Sequence, residues 1–293
     1  MHSQAHPPRP LSRSDLLVAL LAAVVSLLLY YRTYVPWVLP SDSGEFQVLA
    51  HQLGVAHTTG YPVYLLLAKA FILLVPAPSI AAGVNLFSAF MASVTVGLVF
   101  LGGRLLVQRR WLPLFGAAAL AVGYTFWSQA LIAEVYSTGA AFLAAVCVLV
   151  LHWYRARGTE HPSTAPREPM RGSAQNARAG WPLFAAGIIG GLGLGVHASV
   201  AMFAPAVVIF LLLQWNRRRE WLLPALLGGA AGLLLYFAGF LVVDVHAAPA
   251  NIFNAAYSPA RSNWDLTAED LASPIRRIVF LMTAVQWRSA MFA

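Results

Sequence analysis

The segment YPVYLLLAKAFILLV, Tyr61–Val75, decides how this chain sits in a bilayer. As a helix it covers roughly 22 Å, short of the roughly 30 Å hydrocarbon core, and Lys69 stands in its middle. Read as a crossing helix, it throws the later arginine clusters onto the wrong side of the membrane. Read as a helix resting in the outer interface, it leaves Arg9 and Arg13, Arg104–Arg110, Arg155–Arg178 and Arg217–Arg219 all inside. Inner loops carry the excess of Lys and Arg, so the second reading is adopted.

Working outward, the other apolar runs read as helical spans over 14–38, 81–103, 111–127, 131–154, 181–196, 199–215 and 221–243. Short outer helices are expected over 44–54 and 61–75, a cytosolic linker over 155–180, and an outer loop from 244 onward. The linker mixes Arg, Pro, Ser, Gly and Ala without periodicity. Residues 1–293 thus form one integral-membrane domain of about seven spans, with its N-terminus in the cytoplasm. A helical pattern starting at Ser273 is cut off by the end of the sequence, so further C-terminal spans are expected to be missing.

Composition agrees with an all-α membrane bundle. The chain is 59% hydrophobic and 10% charged, with a mean hydropathy of +0.68. Leu16–Tyr31 follows Arg9 and Arg13 as a signal peptide would. It runs on through aromatics to Trp37 with no small-residue cleavage site, so it reads as an uncleaved first span. A net charge of +8 could suggest nucleic acid, but the positive groups sit in short clusters between apolar runs rather than along one face, and no nucleic-acid partner is expected. The single cysteine, Cys147, lies inside an apolar run, which excludes a disulfide framework and a thiolate metal cluster.

The scarce polar residues gather on the outer side. SDSGEFQVLAHQLGVAHTTGYP, Ser41–Pro62, brings Asp42, Glu45, His51 and His57 together beside the first span. Phe46, Leu49, Ala50 and Leu53 recur at helical spacing, and Asp42 and Glu45 stand three apart as in a capping box. A cap and a catalytic pair are both open readings of these carboxylates. Glu134 lies near the outer start of a span and His197 lies between two spans. Each is either a snorkelling or helix-end group, or a functional one. Gly187, Gly191 and Gly195 recur every four residues, which reads as close helix packing rather than a dinucleotide fingerprint. His51, His57 and His197 form no close metal-ligand pattern, so no metal site and no cofactor are expected; a divalent ion has no support beyond the chance of convergence in space. In the last outer loop Arg261 stands beside Asn263, Trp264 and Asp265, against the topological charge bias, and its guanidinium suits a phosphate.

The motifs DSGEF at Asp42, HTTGYP at His57–Pro62, VNLFSA at Val84–Ala89, WSQALIAEVY at Trp127–Tyr136, GLGLGVH at Gly191–His197 and RSNWD at Arg261 occur in an order that resembles a membrane family first catalogued as a domain of unknown function. That family includes transmembrane protein O-mannosyltransferases and is placed among the GT-C glycosyltransferases. The resemblance runs from about Pro40 to the last residue. It implies a GT-C-type bundle that moves a mannose-like sugar from a polyprenyl-phosphate donor to an acceptor on the periplasmic or extracellular face of the plasma membrane. It also implies that the acid of the first outer loop is essential, which carries over to Asp42 with Glu45 beside it. Thr58 and Thr59 stand where the family usually has prolines.

On this reading Asp42 is the general base and Glu45 its catalytic neighbour. His57, Tyr61, Glu134, His197, Arg261, Asn263 and Trp264 bind substrate, and 61–75 holds the lipid tail. The expected partners are the polyprenyl-phosphate sugar, membrane lipid, and a protein, lipid or glycan acceptor. Two other readings stand beside it: a transporter or flippase component binding a substrate at the same outer groups, and an inactive truncated scaffold.

Overall fold

The computed structural model describes residues 11–156, 173–246 and 249–287, with the side chains of 173–179 left aside. It is a helical bundle, and no strand occurs among the described residues. In chain order the helices are α1 (Arg13–Tyr31), α2 (Ser41–Gln52), α3 (Pro62–Leu74), α4 (Ile80–Leu106), α5 (Trp111–Val122), α6 (Tyr124–Ala130), α7 (Val135–Ala156), α8 (Ser173–Gly193), α9 (Ala204–Leu212), α10 (Arg218–Asp244) and α11 (Pro274–Met282). By length and composition α1, α4, α7 and the Trp215–Asp244 stretch that contains α10 are each sufficient to cross a membrane.

Helix α4 is the central post. It packs antiparallel to α1, with Gly97 against Ala19 and Arg104 beside Asp15. It runs parallel to α7, as Ser88 meets Glu134, Thr95 meets Ser137 and Gly102 meets Val148. Between α1 and α4 the chain makes α2 and α3 and turns back. At 13 residues α3 is roughly 20 Å long, and α2 and α3 lean on the upper part of α4 through Phe46, Leu49, Tyr64, Leu65, Val84 and Phe87.

Two expected elements are interrupted. The run 111–127 is not one helix: it breaks at Gly123, whose ψ of 126° is extended, and the buried Tyr30 hydroxyl donates to the Ala121 carbonyl at the break (2.9 Å). The run 199–215 begins as a 3₁₀ turn, Ala198–Phe203, and becomes α-helical from Ala204 to Leu212. Much of the linker expected over 155–180 falls outside the described residues; where it is described, its edges belong to α7 and α8. Residues 288–293 of the C-terminal helical pattern also lie outside them.

The glycine spacing in α8 has the packing role read from it. Helices α8 and α10 run parallel at backbone contact. A methyl at Gly187 would lie 2.6 Å from the Gly229 nitrogen, one at Gly191 2.7 Å from the Gly232 carbonyl carbon, and one at Gly228 2.1 Å from the Phe184 oxygen. Within lipid there is no hydrophobic force to hold helices together, so association rests on such close approach. Gly228→Ala is therefore expected to push the pair apart and destabilise the protein by about 2 kcal/mol, read as a lower unfolding temperature in detergent.

At the far end from α2 lies an ion-pair knot. Ser12 caps α1 in a capping box with Asp15, and the buried Asp15 carboxylate accepts from Arg104 Nε and Arg110 Nε, both at 3.0 Å. This ties the start of α1 to the end of α4 and the turn before α5. Asp15→Asn should destabilise by about 2 kcal/mol, below the 3–5 kcal/mol of a fully buried pair because Arg110 is half exposed. Equilibrium unfolding with and without 1 M salt, roughly, measures it; the buried Arg104 contact should resist screening.

Candidate active site

Five segments converge at the α2 end of the bundle. The first is the opening turn of α2, which begins at Ser41 and carries Asp42, Ser43 and Glu45. The expected capping box does not form. Pro40 occupies the cap position with no side-chain bond, Asp42 lies inside the first turn, and Glu45 turns away to the α2–α3 connection. The loop that aims this turn is pegged to α4: Gln47 Nε2 donates to Asn85 Oδ1 (2.9 Å), Asn85 Nδ2 donates to the Val35 carbonyl (2.6 Å), and the Leu39 amide donates to Gln47 Oε1 (3.1 Å). Gly44 is required for this approach, since a Cβ there would sit 2.3 Å from the Leu39 oxygen.

His57 supplies the second segment and Tyr61, the residue before α3, the third. The N-terminus of α3 is held by the far end of α8: the Val63 and Tyr64 amides both donate to the Gly195 carbonyl (2.9 and 3.2 Å). That bond explains the fourth segment, because it brings His197 against Tyr61, with ring centroids 5.9 Å apart and planes 25° from parallel. The fifth is the loop before α7. Glu134 Oε1 accepts from the Ser43 hydroxyl (3.0 Å), and its peptide is clamped by Ser88 of α4. Glu134 is thus turned toward α2 and bonded there, which is not a snorkelling geometry.

The hydrogen-bond partners place the two imidazoles in opposite electrostatic surroundings. Glu45 Oε1 accepts from the His57 amide (2.9 Å) and Oε2 from His57 Nδ1 (2.5 Å). The Tyr61 hydroxyl spends its one proton on the Thr58 carbonyl (2.6 Å), so its oxygen can only accept from His57 Nε2 (3.2 Å). Asp42 Oδ2 lies 3.7 Å from the same Nε2. These partners stabilise the imidazolium form of His57, set between two carboxylates. Burial alone would lower its pKa, but the Glu45 hydrogen bond and the charges of Glu45, Asp42 and Glu134 outweigh that and raise it. His197 is the opposite case. Its Nδ1 accepts from the Ser199 amide (3.1 Å), leaving the proton on Nε2, and burial together with the His57 charge lowers its pKa. Burial raises Glu134, helped by Asp42 against the Ser43 bond, and burial also holds the Tyr61 hydroxyl well above its ordinary value.

Asp42, Glu45 and His57 offer ligand atoms within 4.8 Å of one another. A divalent cation at these atoms would have to displace the proton that Glu45 and Asp42 share with His57, because metal binding releases protons from its ligands.

Of the residues singled out in the sequence, Asp42, Glu45, His57, Tyr61, Glu134 and His197 come together. Arg261, Asn263 and Trp264 do not: among the described residues none has a hydrogen bond, ion pair or ring contact with those six. Arg261 Nη1 donates to the Ser258 carbonyl (2.7 Å), and Trp264 packs edge-on against Tyr257 and Phe280. That segment matters as a support, since the Ile252 amide donates to the Val55 carbonyl two residues before His57 (2.9 Å) and the Asp244–Arg277 pair (2.9 Å) folds it back. Sequence reasoning missed Ser43, Gln47, Asn85, Ser88 and Tyr136, the last with its ring 5.6 Å from His197. The available signal was polarity inside an apolar helix: Asn85 and Ser88 are fully buried in α4.

Fold and site define an all-α, multi-pass membrane protein with an acidic and imidazole-bearing cluster at one end of its bundle. The family described as "Protein O-mannosyl-transferase TMEM260 N-terminal domain" matches residues 42–221, which is most of that architecture, and the chain belongs to this family. Protein O-mannosyl-transferase tmem260 of Dictyostelium discoideum is 29% identical over 149 residues, covering 50% of this chain and 18% of that protein. Protein O-mannosyl-transferase TMEM260 of Mus musculus is 28% identical over 229 residues, 76% of this chain and 30% of that protein. The chain thus spans less than a third of the length of these relatives. No solved structure matches it.

Proposed function

We propose that this chain carries the catalytic face of a glycosyltransferase that moves a mannose-like sugar from a polyprenyl-phosphate donor to an acceptor hydroxyl, with Asp42 as general base. The observation that carries the reading is the division of labour between the two carboxylates around His57. Both oxygens of Glu45 are engaged by His57, whereas the 56% exposed Asp42 side chain has, among the described residues, one hydrogen bond, from the Ser41 hydroxyl (3.3 Å), and a looser ion pair with His57 Nε2 (3.7 Å). Asp42 is free to meet a substrate, and Glu45 positions the imidazolium.

The acceptor oxygen attacks the anomeric carbon as its proton passes to Asp42, and the bond from that carbon to the phosphate oxygen breaks with its electrons going to the phosphate. Phosphate leaves without a strong acid. What helps it is positive charge already in place, which His57 supplies at the cluster. The neutral His197, stacked on Tyr61, offers an Nε2–H to sugar hydroxyls, and Glu134 accepts from them.

The outer-face assignment draws support from helix direction. α1 and α4 are antiparallel although α3 lies between them, so a crossing α3 would not fit, and the cluster lies at the opposite end from Asp15, Arg104 and Arg110. The names of the relatives support a mannosyl product on protein. Membranes bearing the protein, incubated with radiolabelled polyprenyl-phosphate mannose, test it. Label moving into a protein fraction is the expected result; label taken up into sealed vesicles without a new product would mean a transporter instead.

A further inference from the structure

We infer that the cavity between α2, α3 and the start of α4 is a headgroup site for an anionic glycerophospholipid, separate from the reacting centre. The cavity is about 210 Å³ and is lined by His51, Lys69, Ile72, Leu73, Ser79 and Ile80 among others. Its position is at headgroup depth whichever way the protein faces, because α4 is one of the four helices able to span and this is its first turn.

Lys69 is the telling residue. It sits in an otherwise apolar helix, yet its ammonium turns to the His51 carbonyl at the cavity wall, and no carboxylate pairs with it among the described residues. One of its three hydrogens is used there, leaving donors for a ligand. No acidic side chain lines the cavity, and the first turn of the 27-residue α4 adds amide dipole of the same sign. Around this positive centre Ile72, Leu73, Val75 and Ile80 make much of the lining aliphatic, and Leu73 is 72% exposed. A cationic pocket with a greasy rim at the membrane boundary fits a phosphodiester with acyl chains.

The donor's own phosphate does not belong here. His51 follows Asp42 by nine residues on α2, roughly 14 Å along the axis and half a turn around it. A donor phosphate is one oxygen away from the anomeric carbon that must reach Asp42. Binding is measured without any sugar transfer, so failure here and failure of the catalytic reading are distinguishable.

The test is native mass spectrometry and thermal unfolding of the detergent-solubilised protein titrated with phosphatidylglycerol, phosphatidylcholine of the same chains, and a polyprenyl phosphate. Phosphatidylglycerol should be retained and raise the unfolding temperature, with affinity lowered about tenfold in Lys69→Met and kept in Lys69→Arg. Lys69→Met preserves the aliphatic stem. Leu73→Glu, at an exposed position on the rim, should weaken binding as well and guards against a folding defect in the first variant. Equal retention of phosphatidylcholine, unchanged binding by Lys69→Met and Leu73→Glu, or retention of the polyprenyl phosphate alone would each overturn the assignment.

Discussion

Asp42→Asn is expected to lower sugar transfer by about 10²–10⁴-fold while leaving a folded protein. The substitution keeps size and shape, and it removes the ability to take a proton together with one of the negative charges that face His57. Its structural role is small. Pro40, not Asp42, holds the cap position of α2, so what is lost from the helix is the favourable charge in its first turn, about 0.5 kcal/mol. Comparing kcat with KM separates the two roles: a base that acts as the acceptor is deprotonated lowers kcat with little change in KM. Wild-type turnover in this variant would remove Asp42 from the chemistry altogether.

Glu45→Gln is the second large effect and it is a pH effect. Glu45 gives His57 its hydrogen bond and its nearest negative charge, the leading influences that raise the imidazole against burial. In the wild type the folded protein therefore binds this proton more tightly than the unfolded chain, whose histidine titrates near about 6.5. The stability this contributes is complete below that value and is lost as pH rises through the higher folded pKa. Transfer should follow the same limb, falling on the alkaline side as the imidazolium is neutralised. With glutamine at 45 only Asp42 and Glu134 remain to oppose burial, so the alkaline fall moves to lower pH and kcat at neutral pH drops about 10–100-fold. A ¹⁵N-imidazole titration reads His57 directly. An alkaline limb unmoved by Glu45→Gln would show that His57 has no part in it.

Some of this site was legible residue by residue. Asp42, Glu45, His57, Glu134 and His197 are rare ionisable groups in a chain with few of them, and each is expensive in lipid unless it has a partner or a wet cavity. Their chemistry could be read one at a time. Their pairing could not. The capping-box spacing of Asp42 and Glu45 is a local pattern, and it lost to a nonlocal one when Glu45 found both the amide and the ring of His57. Arg261 stood out by charge for the same reason the others did, but its hydrogen bond is to the Ser258 carbonyl within its own loop. Gln47 and Asn85, which aim the first turn of α2, gave no signal that separated them from ordinary polar residues until their bond was seen.

By itself the sequence determined the helical class, the brevity of the segment around Lys69 and the small-residue face that welds α8 to α10, because bilayer thickness, backbone hydrogen bonding and helical period act on each stretch alone. Tertiary structure alone decided which acid is left free and which imidazole is charged. Those outcomes depend on which donors and acceptors meet across five segments, and the Gly195 carbonyl that sets α3 against α8 lies far along the chain from the residues it brings together.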